Sequence, residues 1–482
     1  MNRLLDIRRV FVAIIALGLF VMAARSVTDP DVWWHLRTGQ LILQNHAVFH
    51  TDPYSFTRAG QPWINHEWLS AVLMFELYRA GGTGALTLAF ALIVAAAFLL
   101  VFARTPGKPY LAGLVTVWGA LASAPSWGAR PQVISLLLAS LFLWLLERSQ
   151  KHPGLLWWTI PLTALWVNLH AEFALGIGLI ALFLLGTVLD AVFGFERWTA
   201  LAPRSRSLVL ALAGCIAVVP LNPYGTRMYW YPWHTLSSHV IVNYIEEWSS
   251  PDFHRAMYLP FFLMILAFAV LAISPLRLKA RELLLLTVML YAGLHSVRHI
   301  PIFALVAAPI LAASLEALLQ KQQIHLPARA SNPEIAKLLL NAALLAAFAG
   351  FVVFRVRFVI QGQSQAEAKA FPTQAVAFIL RDRPAGPLLN SYDWGGYLIW
   401  KLYPQYRVFV DGRTDLYESG GFLDDMASIY NLQDQWQEKF DSWRIRAVLL
   451  PPNAPLIAAL RAHPGWKQIY ADSQAVVLTR ID

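Results

Sequence analysis

The sequence predicts a polytopic helical membrane protein that ends in a small α/β domain. Three observations predict it. Of 482 residues, 57% are apolar and only 14% charged, whereas soluble proteins carry about a quarter charged residues. Apolar runs of membrane-crossing length recur between residues 10 and 354. From 355 onward the pattern changes to short apolar runs separated by polar, helix-forming stretches. A net charge of +9 does not point to nucleic acid, because the basic residues are scattered through loops. The lone cysteine, Cys215, sits in an apolar run, so it forms no intramolecular disulfide and reports no redox compartment.

A crossing helix needs about 20 mainly apolar residues, since hydrocarbon offers no partner to a backbone group. We read about eleven spans: 10–27, 84–103, 109–126, 131–146, 154–170, 173–193, 207–221, 257–274, 282–297, 301–319 and 335–354. The run 68–80 is too short to cross upright and carries Glu76 and Arg79, which predicts a helix lying along the interface. The basic start of the chain is compatible with a signal peptide, but the alternation of charge works with the first run kept as an anchor. With the N-terminus inside, the inner loops collect sixteen Lys and Arg and the outer loops eight. Basic residues accumulate on the cytoplasmic side, so the C-terminus is expected outside. This gives a membrane domain over 1–354, with outer loops 28–83 and 222–256, and an extracytoplasmic α/β domain over 355–482.

Polar chemistry gathers at the outer ends. Asp29, Asp31, Asp52, Glu67, Glu172, Glu246, Glu247 and Asp252 fall there, as do His35, His66, His170 and His299. A transporter would place ionisable groups at mid-membrane along its path; this chain does not. Asp29 and Asp31 follow the first span, beside Trp33-Trp34, which reads as an interface anchor together with Trp63 and Trp68. The stretch 28–67 reads as a loop far too long for a connector.

Several segments carry a family resemblance. They are D-x-W-x-H-L-x-x-G at Asp31–Gly39, D-P-x-S-x-T at Asp52–Thr57 and W-x-x-H-E-W-L at Trp63–Leu69. Arg130-Pro131-Gln132, WVNLHAEF, LNPYG, EEWSSPDF, Arg298-His299-Ile300-Pro301, NSYDWGGYLIW and VFVDGRTDLY add to it. With an acidic residue just beyond the first span, the chain resembles the GT-C superfamily of membrane glycosyltransferases, in a bacterial polytopic branch. The resemblance implies a polyprenyl-phosphate-linked sugar donor, a membrane-lipid environment, a glycan, lipid or protein acceptor, and no nucleic acid. It also implies a bacterial inner-membrane location with transfer at the outer face.

What the resemblance implies for residues follows position by position. Asp31 matches the first-loop base or metal ligand, and Glu67 is the second catalytic candidate. Arg130, Arg298 and His299 are candidates for gripping the donor phosphate, since arginine offers paired donors to an oxyanion. His66, Asn168, His170 and Glu172 are candidates for an acceptor ledge. A divalent metal stays open, with Asp31, His35 and Glu67 as candidate ligands. Metal-using relatives carry a further acidic residue in the outer loop after the third span, and SAPSWGARPQ has none. The competing reading is a non-enzymatic scaffold or assembly protein with an outer binding domain.

In the C-terminal piece, PLLNSY, YRVFVDG, IRAVLLP, QIYAD and AVVLTR read as strands, with helices near 373–383, 420–442 and 453–463. Gly395-Gly396 should open an aromatic-rich helix, and Asp411-Gly412-Arg413 should end a strand, either as a simple turn or as an exposed functional loop of a cap that binds the acceptor or closes over the membrane site.

Overall fold

The computed structural model describes residues 6–105, 107–238, 245–324 and 335–481. It forms two compact units. The first comprises Met1–Arg25, Thr87–Ser237 and Val242–Val359; the second comprises Ser26–Leu86, Ser238–Ile241 and Ile360–Asp482.

The first unit is helical throughout. Among the described residues, five helices are long and apolar enough to cross a membrane: Trp68–Arg104, Pro131–Ser149, Phe173–Val192, Val297–Lys321 and Ile335–Gln361. Of the other expected spans, Ile7–Ala23, Pro109–Ser123 and Ala280–His295 are shorter helices, 154–170 is a 3-10 turn followed by Thr159–Leu169, and 207–221 overlaps the end of Trp198–Ala217. The run 257–274 does not stay whole; it breaks into Leu259–Ala267 and Val270–Ile273. Pro131 opens its helix at the first position, where a missing N–H costs nothing, and Arg130 before it is extended. Ion pairs tie helices together where charge enters the bundle. Arg104 grips Glu147 through Nε and Nη2 at 3.0 and 2.7 Å and also donates to the Leu305 carbonyl at 2.9 Å.

The second unit corrects the reading of residues 28–67 as loop. Asp31–Asn45 is a helix. The Asp29 carboxylate accepts from the Asp31 backbone N–H at 3.0 Å just ahead of the first turn, and an acidic residue there suits the positive end of the helix. Val32, Trp33, Leu36 and Ile42 are buried from this helix. Trp33 and Trp34 are only 1% and 6% exposed, so they are core residues and not interface anchors. Trp33 packs edge-on against Phe371 and Tyr397, and Trp34 against Trp63. The expected break between the segment 68–80 and the following span lies at Gly81-Gly82, whose backbone leaves helical geometry, with Gly82 at φ 60°.

The sheet of this unit has order β1-β2-β4-β3, with β1 Leu388–Asn390, β2 Ala447–Leu450, β3 Trp466–Ala471 and β4 Val476–Arg480. β1 and β2 run parallel, and the other two pairs are antiparallel. The expected strand at YRVFVDG is absent from the sheet. Its backbone is spent elsewhere: Val408 pairs with Tyr54 and Phe56 at 3.1 and 3.0 Å, a single bridge. Asn390 takes over the ladder's work beyond it, accepting from Phe409 N and donating to Val410 O. The helix Gly395–Leu402 forms as expected.

Candidate functional site

Asp31 is half-buried in the first turn of its helix, and Trp34, one turn on, donates its indole N–H to Oδ1 at 3.1 Å. The other flank of the carboxylate is backbone. A Cβ placed on Gly412 would lie 2.0 Å from Asp31 Oδ1, so only glycine permits this approach. The DWGG segment closes in as well, since a Cβ on Gly396 would lie 2.2 Å from the Pro30 carbonyl oxygen. Two motifs nearly 400 residues downstream are thus folded around the start of this helix. The hydroxyl of Tyr392 meets Thr414 Oγ1 at 2.5 Å and lies within electrostatic reach of Asp31.

His35 follows Trp34 directly in the helix, and their ring centroids lie 3.6 Å apart. His35 Nε2 reaches Glu67 Oε2 at 3.2 Å, and His66 Nε2 reaches Oε1 of the same carboxylate at 3.3 Å. Burial alone would lower the His66 pKa, but the Glu67 carboxylate, helped by Asp415, outweighs it and raises it. Each Glu67 oxygen therefore faces an imidazole. Of the residues singled out in the sequence, His35, His66 and Glu67 come together, and Asp31 stands one helical turn before His35.

Next to Asp31 lies a charge cluster that the sequence reading did not assign. Arg413 donates from Nε and Nη2 to Asp411, both at 2.7 Å, and from Nη1 to Asp52 at 2.7 Å. The side chains of Arg413, Asp52 and Asp411 are 1%, 0% and 0% exposed. Tyr417 donates to Asp411 Oδ2 at 2.8 Å, and Asp52 also accepts from the Tyr54 and Ser55 backbone at 3.0 Å. The guanidinium lies over the Tyr54 and Trp63 rings, 4.9 and 4.6 Å from their centroids. Burial disfavours its charge, yet Asp411 and Asp52 more than compensate and hold its pKa well above the usual range.

The first unit holds a separate cluster. Arg298 donates from Nε to Glu172 Oε1 at 3.1 Å, and its Nη2 lies 3.1 Å from His170 Nε2. His170 Nδ1 meets Ser135 Oγ at 2.8 Å, and Trp166 Nε1 donates to that hydroxyl at 2.7 Å, which fixes the ring. The Arg298 guanidinium lies 5.3 Å from the Trp248 centroid. Burial works against the charged form of Glu172, but His170 and Arg298 outweigh it and bring its pKa down to about 2. Arg130 is paired with Glu247, whose pKa is lowered by Arg130 and Arg298 against the pull of burial. A hollow lined by Gln132, Val133, Leu136, Glu172, Arg298 and Pro301 opens at the Arg298–Glu172 pair. Asn168 donates to the Ala164 and Leu221 carbonyls, which makes it a brace for the LNPYG turn. His299 packs edge-on against Trp248.

Among the described residues, no group of three or more His, Cys, Asp and Glu side chains is arranged to hold a metal ion. The candidates Asp31, His35 and Glu67 do not fit one: Asp31 faces Trp34 and Gly412, while both imidazoles turn onto Glu67.

No protein-family model matches the chain, and no curated protein matches it in sequence. Solved structures do. The chain is similar to the archaeal oligosaccharyltransferase AglB from Archaeoglobus fulgidus, in complex with an inhibitory peptide and a dolichol-phosphate. That match has TM-score 0.60 at 10% identity and covers 91% of this chain and 69% of that one. The apo form of the Archaeoglobus fulgidus oligosaccharyltransferase gives TM-score 0.57 at 12% identity, with 91% and 69% covered. Its complex with Zn and sulfate gives 0.52 at 13% identity, with 98% and 73% covered. The chain shares the fold of these oligosaccharyltransferase structures.

Within this fold, the residues missed by sequence reasoning are Asp411, Arg413, Tyr417, Ser135 and Trp248. Asp411 and Arg413 stood in a motif already noticed, read as a strand-ending turn or an exposed functional loop, but not as a buried ion-pair cluster. The available signal was composition: an Asp-Gly-Arg segment following VFV is hard to leave exposed, because the valines and the phenylalanine must be buried.

Proposed function

We propose that the chain is a membrane glycosyltransferase that moves a sugar from a polyprenyl-phosphate donor to an acceptor at the outer face of the membrane. The observation that carries this reading is Asp31: a half-buried carboxylate in the first turn beyond the first apolar helix, gripped by Trp34 on one flank and abutting Gly412 on the other. The GT-C fold supports it, and so does the dolichol-phosphate bound in the archaeal relative by fold.

Asp31 takes the proton of an acceptor hydroxyl as that oxygen attacks the anomeric carbon. The bond between that carbon and the phosphate oxygen breaks, and the phosphate leaves on its lipid. Glu67 keeps His35 and His66 in place. In the first unit, Arg298 is the anion-binding candidate best supported: among the described residues its Nη1 carries no hydrogen bond, and its side chain is 20% exposed. Arg130, paired with Glu247, is the second candidate. His170, Glu172 and His299 hold Arg298 in position, and Asn168 serves the turn behind them. No step is routed through a metal.

The test is transfer of labelled sugar from a polyprenyl-phosphate donor by purified protein in lipid. Asp31→Asn should lower kcat by about 10²–10⁴-fold with an unchanged melting temperature. Activity equal to wild type in that variant removes Asp31 from the mechanism. Absence of transfer by wild-type protein across polyprenyl donors returns the chain to the scaffold reading.

A further inference from the structure

We propose that Asp52, Asp411 and Arg413 are positioning residues for Asp31, acting through Gly412 and Trp63; this rests on the reading of Asp31 as the base.

Two routes connect the cluster to that carboxylate. In the first, Arg413 and Asp411 clamp the turn between them. The Asp411 carboxylate accepts from Arg413 N at 3.0 Å as well as from Nε and Nη2, so the backbone on both sides of Gly412 is held to one side chain. Gly412 is the residue that abuts Asp31 Oδ1. In the second, Trp63 carries the Arg413 guanidinium on its face and packs edge-on against Trp34 at 6.0 Å. Trp34 is the donor to Asp31 Oδ1. Both walls of the Asp31 carboxylate therefore trace back to one buried arginine.

The chemistry of the cluster fits this role better than a role in folding alone. Two carboxylates and one guanidinium lose their hydration on burial, and well-packed apolar residues generally do as well or better for stability. What the ionic cluster adds is direction: a planar fork with fixed donors defines the turn more sharply than methylenes do. A base must be held within about 0.5 Å of its working position to be effective.

Gly412→Ala and Asp52→Asn test the proposal in the full-length protein reconstituted in lipid nanodiscs. The first pushes a methyl onto Asp31 and leaves the cluster intact; the second keeps the cluster's shape and removes one charge. Two readouts are taken: transfer kinetics, and carbodiimide labelling of Asp31 resolved by peptide mass spectrometry. Asp472, which shares no bond with the cluster, is the internal reference. In both variants kcat should fall by about 100-fold while the donor KM stays within about twofold, because a shift of about 1 Å costs that much. Asp31 labelling should change severalfold relative to Asp472. If Asp52→Asn lowers the melting temperature but leaves Asp31 labelling and kcat at wild-type values, the cluster is merely structural and the proposal is overturned. Unchanged labelling and kcat in Gly412→Ala overturn it equally. Should wild type transfer no sugar, the base reading falls, and labelling alone still decides whether the cluster sets the position of Asp31.

Discussion

Two arginines in this molecule use the same bonds for different ends. Arg413 is 1% exposed and its two carboxylate partners are 0% exposed; Arg298 and Glu172 are both 20% exposed. Each guanidinium meets carboxylate oxygen and lies over a tryptophan ring. Arg413 commits Nε, Nη1 and Nη2, whereas Arg298 commits Nε and Nη2. The difference teaches that partner count and solvent contact, rather than residue type, separate an arginine that builds from one able to meet a ligand.

The largest expected effect breaks the comparison if it fails. Arg413→Met leaves two carboxylates buried without their cation and should cost about 3–5 kcal/mol. Arg298→Met leaves a partly hydrated Glu172 and should cost no more than about 1 kcal/mol. Apparent melting temperatures in one fixed detergent order the two variants. Equal losses would mean that exposure does not distinguish the sites.

A second prediction sharpens the open member of the pair. The Glu172 pKa lies near 2 against a usual 4.5. Since the folded value is the lower one, its contribution is complete above the usual pKa and disappears as pH falls through the folded value. Wild-type protein should therefore lose stability on acidification from about pH 5 to pH 2 more steeply than Glu172→Gln. Parallel acid limbs in thermal melts would detach Glu172 from Arg298 and His170.

The same contrast explains what could be read in advance. The spans were legible because hydrocarbon demands long apolar runs, and their ends followed Pro131, Pro301 and Gly81-Gly82. The helix Asp31–Asn45 was not legible as a helix, although Asp31, Trp34 and His35 stand at helical spacing. Its tryptophans matched an interface anchor just as well, and only burial against Phe371, Tyr397 and Trp63 decides. Arg298 and Glu172 could be nominated singly because both stand at helix ends. The bond between Arg413 and Asp52 spans 361 residues, and no local pattern encodes a partner at that distance. The missing strand at YRVFVDG has a similar cause: Val408, Phe409 and Val410 are apolar and buried, as a strand would require, but their hydrogen bonds go to Tyr54, Phe56 and Asn390.

The smallest expected effect concerns His66, which stands between the two extremes: its side chain is 17% exposed and that of Glu67 is 10% exposed. Its folded pKa is raised above the usual 6.5 because Glu67, seconded by Asp415, overcomes the cost of burial. A group raised in this way stabilises fully below its unfolded pKa and loses that contribution as pH climbs through the folded value. Wild type should thus lose stability as pH rises above the usual histidine range, and His66→Gln should lack that decline while keeping a donor for Glu67. The comparison is read as the difference between two melting curves across pH, so that other titrations cancel. Curves that stay parallel as pH rises would show that His66 is not held charged by Glu67.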